Sequence, residues 1–189
     1  MLPSHAAEAT ETAAKPIRRS VPLTCTHDSG SPRFVGKITM PGQIQSGTTI
    51  TIRVDGVSSG KISHTGLNYI HQMKTDFSLS SGLGFVPGSA RIIAGTGTKN
   101  VRKGARVGFE DNLIRLVLPG RVKNGRSYTA PSIAFDVAVS GEHEEASLQL
   151  VHYELKANAF IVGDVLSECE PSPSPFELAT ARVAGARAE

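Results

Sequence analysis

The chain has 189 residues, of which 39% are hydrophobic and 20% are charged, and it carries a formal net charge of +3 at pH 7. This length supports one well-buried core and excludes two full-sized domains with tails. No apolar run approaches the roughly 20 residues of a membrane-spanning helix, so we predict no membrane span. The small net charge and 5% aromatic residues argue against nucleic acid as a partner.

The beginning of the chain contains no pattern of apolar residues that could build a core. We predict a disordered N-terminal tail over residues 1–22. Its opening residues also lack the charged and apolar regions of a signal peptide. They fit either a processed, exported chain from which a leader peptide was removed or a cytoplasmic protein.

Short β-rich runs separated by Gly, Pro, Asn and Asp begin at Leu23. The predicted strands are residues 34–40, 48–54, 67–79, 90–94, 107–109, 113–118, 133–139 and 146–155. We expect the first two to be neighbours. Large apolar residues at every second position of 133–139 indicate an antiparallel sheet with one buried face. Residues 23–170 are therefore predicted to form an all-β domain, an antiparallel β-sandwich of Ig-like or jelly-roll type, with a small β-barrel as the second choice.

In the longest predicted strand, 67–79, every second side chain points to the same face of the sheet. One of these faces combines the polar His71 with the apolar or aromatic Tyr69, Met73 and Phe77. If their strands are adjacent and antiparallel, His71 and His152 could converge to coordinate a metal or to shuttle a proton. The candidate pocket consists of Tyr69, His71, Met73, Phe77 and His152. The alternative is that His71 is a hydrogen-bonded core residue.

The end of the chain, residues 171–189, is predicted to be a Pro-rich segment followed by a C-terminal tail. Its Ala-rich part, residues 176–188, is the best candidate for a helix. The alternative is a last strand followed by disorder.

The two cysteines, Cys25 and Cys169, lie near opposite ends of the predicted domain. We predict a disulfide that ties the first strand to the last, which would place the protein in an oxidising compartment, secreted or on the cell surface. The alternative is two unrelated buried thiols in a cytoplasmic protein.

Basic residues are concentrated in two loops. They are Lys99, Arg102, Lys103 and Arg106 in one loop, and Arg121, Lys123 and Arg126 in the other. If both loops lie at one end of the sandwich, they form a basic rim that could contact phosphate or carboxylate polymers of a cell envelope. The alternative is that each side chain only keeps its turn soluble.

No group of residues specifies a reaction. Residues 56–60 match the hydrolase pattern G-x-S-x-G, but no helix is predicted behind them, and the nucleophile of that pattern needs one. A hairpin loop explains these residues better. We therefore predict no catalytic, metal-binding or cofactor-binding residues, and we lean against an enzyme.

One segment resembles a known family. Residues 85–89 (Phe-Val-Pro-Gly-Ser), a later Leu118-Pro119-Gly120 turn and a strand opening at Pro131 resemble secreted bacterial Ig-like conserved domains of the DUF11 kind. The resemblance covers about residues 67–140. It implies an Ig-like fold and carries no catalytic residues.

The leading functional hypothesis is an exported, non-enzymatic β-sandwich that binds an anionic envelope polymer, a lipid or a protein partner. A second hypothesis is a small β-barrel that binds or transforms a hydrophobic metabolite, such as a lipid or a polyketide, in a pocket near His71. A third is a structural module of a surface or assembly.

Overall fold

The computed structural model describes residues 14–27, 32–59 and 61–186. Thirteen strands and one short helix lie within them. The strands are β1 (Ile17–Cys25), β2 (Arg33–Thr39), β3 (Gln43–Gln45), β4 (Thr49–Gly56), β5 (Leu67–Leu79), β6 (Leu83–Phe85), β7 (Arg91–Ile92), β8 (Arg106–Glu110), β9 (Leu113–Lys123), β10 (Ile133–Val139), β11 (Glu145–Ala159), β12 (Gly163–Pro171) and β13 (Phe176–Ala184). The helix α1 (Lys99–Arg102) lies between β7 and β8.

The strands form an antiparallel β-sandwich, which confirms the first-choice fold. One sheet has the order β1-β2-β4-β10, and β6 and β7 both pair with β10. The other has the order β12-β11-β5-β9-β8, and β13 pairs with β11 and, in parallel, with β3. Strand β1 joins the two sheets, because residues 17–22 pair with β2 and residues 23–25 pair with β12.

The core lies between the sheets and is built by alternating side chains. Phe135 and Val137 of β10 and Leu148 and Leu150 of β11 are each fully buried. The predicted strands 67–79 and 133–139 have the bounds observed for β5 and β10. The expected pairing of the first two predicted strands, 34–40 and 48–54, is also observed, between β2 and β4.

The sandwich begins earlier than the sequence predicted. Residues 17–22, which we assigned to a disordered tail, form most of β1. Val21 is fully buried, and Arg19 Nε donates a hydrogen bond of 2.7 Å to the backbone oxygen of Leu178 on β13. The basic residues of this strand interrupt the alternation of apolar and polar side chains, so the sequence did not reveal it. Residues 1–13 of the predicted tail lie outside the described residues.

The predicted C-terminal tail also belongs to the sandwich. The helix proposed over 176–188 was wrong, and β13 occupies 176–184, as the alternative prediction had it. Ala179 and Ala181 are buried against the sandwich, and the strand pairs with β11. Alanine favours a helix locally, but pairing with a strand about thirty residues earlier decides the conformation. Residues 187–189 lie outside the described residues.

A β-bulge in β5 divides the predicted pocket between two faces. The pairings of β5 with β9 and with β11 both shift register between Ile70 and Gln72. An inserted residue reverses the parity of the side chains that follow. Ile70, Met73 and Phe77 are therefore buried in the core, whereas Tyr69 lies on the outer face.

Candidate functional site

The predicted disulfide joins Cys25 to Cys169, with an S–S distance of 2.00 Å. The two residues are directly opposite each other in the antiparallel pairing of β1 with β12. Cys169 also pairs with Tyr153 on the other side, so the bond fastens β1 to a strand that is itself paired with β11. The disulfide prediction is confirmed.

Three segments meet at one end of the sandwich, which we call the loop end: residues 61–67, 121–127 and 159–164. Asn124 exchanges side-chain hydrogen bonds of 3.1 and 2.9 Å with the backbone of His64. The Phe160 N–H donates to the backbone oxygen of Gly66 at 2.9 Å. Because these contacts link all three segments, the loop end forms one continuous surface.

An apolar turn projects from the loop end. Phe160, Ile161 and Val162 connect β11 to β12 and are 75%, 95% and 70% exposed. Gly163 follows with a φ of 76°, the left-handed conformation that closes a three-residue hairpin loop. A tight turn cannot direct three successive side chains inward, so this apolar surface stays in contact with water.

An apolar groove of about 410 Å³ runs beside the turn. Its walls include Leu67, Ala157, Ile161 and Val165, and His27 and His64 contribute polar edges. The turn and the groove together form a continuous apolar surface of the kind that marks a contact site for a partner or a membrane.

The loop end is also basic. Its three segments contain the exposed residues Lys61, Arg121, Lys123 and Arg126, against the single acidic residue Asp164, which leaves a net charge of +3 (four minus one). The guanidinium of Arg121 lies over the ring of Tyr69, 3.9 Å from its centroid. The cationic side chains therefore lie in the two segments that meet the segment of the exposed apolar turn, which itself carries Asp164.

The structure brings the two predicted basic loops into contact. Asn100 Nδ2 of α1 donates a hydrogen bond of 3.2 Å to the Arg121 oxygen. Lys99, Arg102 and Lys103 lie in or beside α1, which packs against β9, and Arg106 begins β8. Arg121, Lys123 and Arg126 belong to the loop end itself. The role of the basic rim as a binding surface stays a prediction.

The histidines of the candidate pocket do not meet. His71 Nε2 is buried without a hydrogen-bond partner among the residues that the structure describes, and the nearest carboxylate among them, Asp164 Oδ1, is 3.8 Å away. His152 pairs with Asp76 in the sheet, with 3.9 Å between its Nδ1 and Asp76 Oδ2. His71 instead lies near Tyr69, edge to face. The expected convergence of His71 and His152 on one site is therefore wrong.

A buried carboxylate on the outer face of the second sheet was missed from the sequence. The Asp76 side chain is 4% exposed, and Arg115 donates two hydrogen bonds to it, of 2.9 and 3.3 Å. Lys74 lies 3.9 Å from the same carboxylate and 3.1 Å from Glu154. The hydrogen bond to Asp76, more than any other contact, raises the pKa of Arg115. In the sequence, Asp76 stands at a position that alternation assigns to the solvent face of the strand. Only the register of β5 with β9 places it opposite Arg115.

A cavity of about 280 Å³ lies between the sheets. Tyr128, from the segment after the loop end, and Tyr153 of β11 both line it, and their hydroxyl oxygens are 3.1 Å apart. Burial raises the pKa of both hydroxyls, and the neighbouring Tyr128 raises that of Tyr153 further. Of the predicted pocket residues, Phe77 lines this cavity. No sequence signal marked the tyrosine pair.

This tyrosine pair should make stability fall at alkaline pH. Below about pH 10 both hydroxyls are protonated in the folded and in the unfolded chain, so they contribute no pH dependence. Above it the unfolded chain loses these protons first, and the free energy of unfolding should decrease by up to about 1.4 kcal/mol per pH unit for each tyrosine. Urea denaturation between about pH 9 and 11 measures this slope. A double variant, Tyr128→Phe with Tyr153→Phe, should show a shallower slope, and equal slopes would contradict the prediction.

No helix in residues 14–27, 32–59 and 61–186 is long and apolar enough to cross a membrane. In the same ranges, no three His, Cys, Asp or Glu side chains are grouped so that they could hold a metal ion.

Neither a protein-family model nor a curated protein sequence matches this chain. The resemblance to domains of the DUF11 kind therefore stays a prediction. The chain is similar in structure to the cohesin module of a Clostridium perfringens family 33 glycoside hydrolase, with a TM-score of 0.41 and 11% identity over 86% of this chain and 96% of that one.

Two other similar structures belong to different functional classes. The collagen-binding subdomain of the Enterococcus faecalis surface protein ACE has a TM-score of 0.40 and 10% identity, over 82% of this chain and 99% of that one. A protein that catalyses macrocyclization in alchivemycin A biosynthesis has a TM-score of 0.37 and 11% identity, over 93% and 99%. Because these TM-scores lie below 0.5, the function must be argued from the residues of this chain.

Proposed function

We propose that this protein is an exported, non-enzymatic binding module that docks its loop end onto an anionic lipid surface. The observation that carries the proposal is the turn of Phe160, Ile161 and Val162, three consecutive large apolar side chains that are 70–95% exposed. They project from the loop end, whose other two segments carry four basic residues and whose turn segment carries the one acidic residue, Asp164.

Insertion of the turn supplies the apolar part of the interaction. Full burial of one such side chain contributes about 1.5–3 kcal/mol relative to exposure in water. The turn is held at both ends, by pairing of β11 with β12 and by the hydrogen bond from Phe160 to Gly66. Little conformational entropy is therefore lost when it enters the boundary between headgroups and acyl chains.

The basic residues supply the electrostatic part. A Lys or Arg near an anionic membrane contributes about 1 kcal/mol, and this contribution weakens as salt is added. Lys123 and Arg126 are exposed and form no salt bridge among the described residues. Their charges are therefore available to lipid phosphates. The apolar turn and the charges together favour a membrane over a purely polar polymer.

Export is supported by the disulfide. Such bonds persist in oxidising compartments and are rare in the cytoplasm. The Cys25–Cys169 bond closes almost the whole sandwich, across a sequence separation of 144 residues. This chemistry supports a secreted or cell-surface location, with the cytoplasm as the alternative.

Vesicle co-sedimentation tests the proposal. We expect the protein to bind vesicles that contain phosphatidylglycerol, to bind pure phosphatidylcholine vesicles more weakly, and to lose affinity as salt is raised. Ile161→Asp should lower the affinity at least about ten-fold, because it removes apolar insertion and adds a negative charge. Lys123→Glu with Arg126→Glu should abolish the preference for anionic vesicles.

Matched controls place the same chemical changes elsewhere. Phe109 is 39% exposed and pairs with Ile114, nine residues along β9 from Lys123, so Phe109→Asp should leave vesicle binding unchanged. Lys37 is an exposed cation on β2, and Lys37→Glu should have little effect. Equal binding of the native chain and Ile161→Asp would overturn the proposal. The proposal would also be overturned if the native chain did not bind vesicles and light scattering showed that it self-associates. That result would identify the turn as a contact between two copies.

A further inference from the structure

The inter-sheet cavity has the composition of a small-molecule site. Most of its lining is apolar, including Val54, Ile70, Phe77, Leu118 and Leu155. A dry apolar cavity of roughly 150 Å³ takes one benzene ring. At about 280 Å³, this cavity has room for a bicyclic molecule or a medium-length acyl chain.

The tyrosine pair leaves one hydrogen-bond donor without a partner. Each phenolic hydroxyl has one proton to donate. Among the described residues, Tyr128 and Tyr153 hydrogen bond through their hydroxyls only to each other, and that one bond uses one of the two protons. The second proton lies at the wall of the cavity, where a ligand oxygen could accept it.

The cavity favours an uncharged ligand. Among the described residues, Arg33 is the one charged residue in the lining, and its guanidinium donates to Ser20 Oγ at 2.7 Å and to the Ser20 backbone oxygen at 2.8 Å. A bound carboxylate would have to compete with those contacts or remain unpaired in an apolar site. A phenolic hydroxyl is protonated at neutral pH, and burial raises the pKa of both tyrosines further, so both hydroxyls are hydrogen-bond donors there.

We infer that this cavity binds a small, neutral, apolar molecule with one hydrogen-bond-accepting oxygen, such as a ketone or an ester, and that the tyrosine pair holds the oxygen. Its location differs from the pocket expected near His71, and the inference is independent of membrane docking. The cavity and the groove share Ile62, Ile70 and Leu155, so the site lies directly beneath the loop end.

Two probes of similar size test the inference. We would measure binding of 2-acetylnaphthalene, which has a ketone oxygen, and of 2-ethylnaphthalene, which has none, by isothermal titration calorimetry. The native chain should bind the ketone about ten-fold more tightly, because the ketone oxygen accepts the hydroxyl proton that the hydrocarbon would leave buried without a partner. The hydrocarbon should bind more weakly at the same site.

Conservative variants separate ligand recognition from folding. In Tyr128→Phe or Tyr153→Phe the remaining hydroxyl keeps a free proton, so each single variant should retain the preference for the ketone. The double variant should lose the preference and still bind the hydrocarbon, which also reports that the cavity is intact. Failure of both probes to bind the native chain would overturn the inference, as would a preference for the ketone that survives in the double variant.

Discussion

Removal of the Cys25–Cys169 disulfide is expected to lower the free energy of unfolding by about 4–5 kcal/mol. The bond restricts the unfolded chain across a sequence separation of 144 residues, which is the main source of its effect. The corresponding decrease in Tm is roughly 10–15 °C for a chain of this size. Thermal and urea denaturation of the Cys25→Ser, Cys169→Ser variant measure it.

Chemical reduction provides the matched control for this prediction. A reducing agent should destabilise the native chain by a similar amount and should leave the double variant unchanged. Agreement between the two treatments would assign the loss to the bond itself rather than to a buried serine. An unchanged Tm after confirmed reduction of the native chain would contradict the prediction.

The second large effect is expected at the Asp76–Arg115 pair. Arg115→Ala should lower the free energy of unfolding by about 2–4 kcal/mol, because it leaves a 4% exposed carboxylate without its bidentate partner. Lys74 and His152, each 3.9 Å from Asp76, offset part of the loss. Urea denaturation measures the change.

A double-mutant cycle tests whether the two groups act through each other. Asp76→Asn removes the charge that needs pairing, so Arg115→Ala should cost less in that background, with a coupling of about 1–3 kcal/mol. Arg91→Ala is the matched control, because its pair with Asp136 is longer, at 3.5 Å, and the Arg91 side chain is 49% exposed. The control should change stability by less than about 1 kcal/mol. Equal effects of Arg91→Ala and Arg115→Ala would refute the assigned role.

Local alternation explains which strands were predicted well. β5 and β10 were predicted with their observed bounds because a strand with one buried face shows its period of two in the sequence. β13 was not predicted as the first choice, because its alanines are compatible with a helix and its partner β11 is distant in the chain. Residues 17–22 were missed for a similar reason, since Arg19 acquires its partner from β13.

The candidate sites depended still more on tertiary contacts. Alternation placed Tyr69, Met73 and Phe77 on one face, and the bulge beside Ile70 separated them. The sequence marked Tyr128 and Tyr153 with no motif, and only the fold brings their hydroxyls to 3.1 Å. The apolar turn was visible as a short run of residues, but its exposure depends on the hairpin that presents it.

By itself the sequence determined the all-β class, most of the central strands and the disulfide, because alternation and cysteine position are readable along the chain. The tertiary structure alone decided which side chains meet at the loop end, at Asp76 and in the cavity. These groupings depend on the register of the paired strands and on the bulge in β5. A shift of one residue at either place would turn the side chains that follow to the opposite face of the sheet.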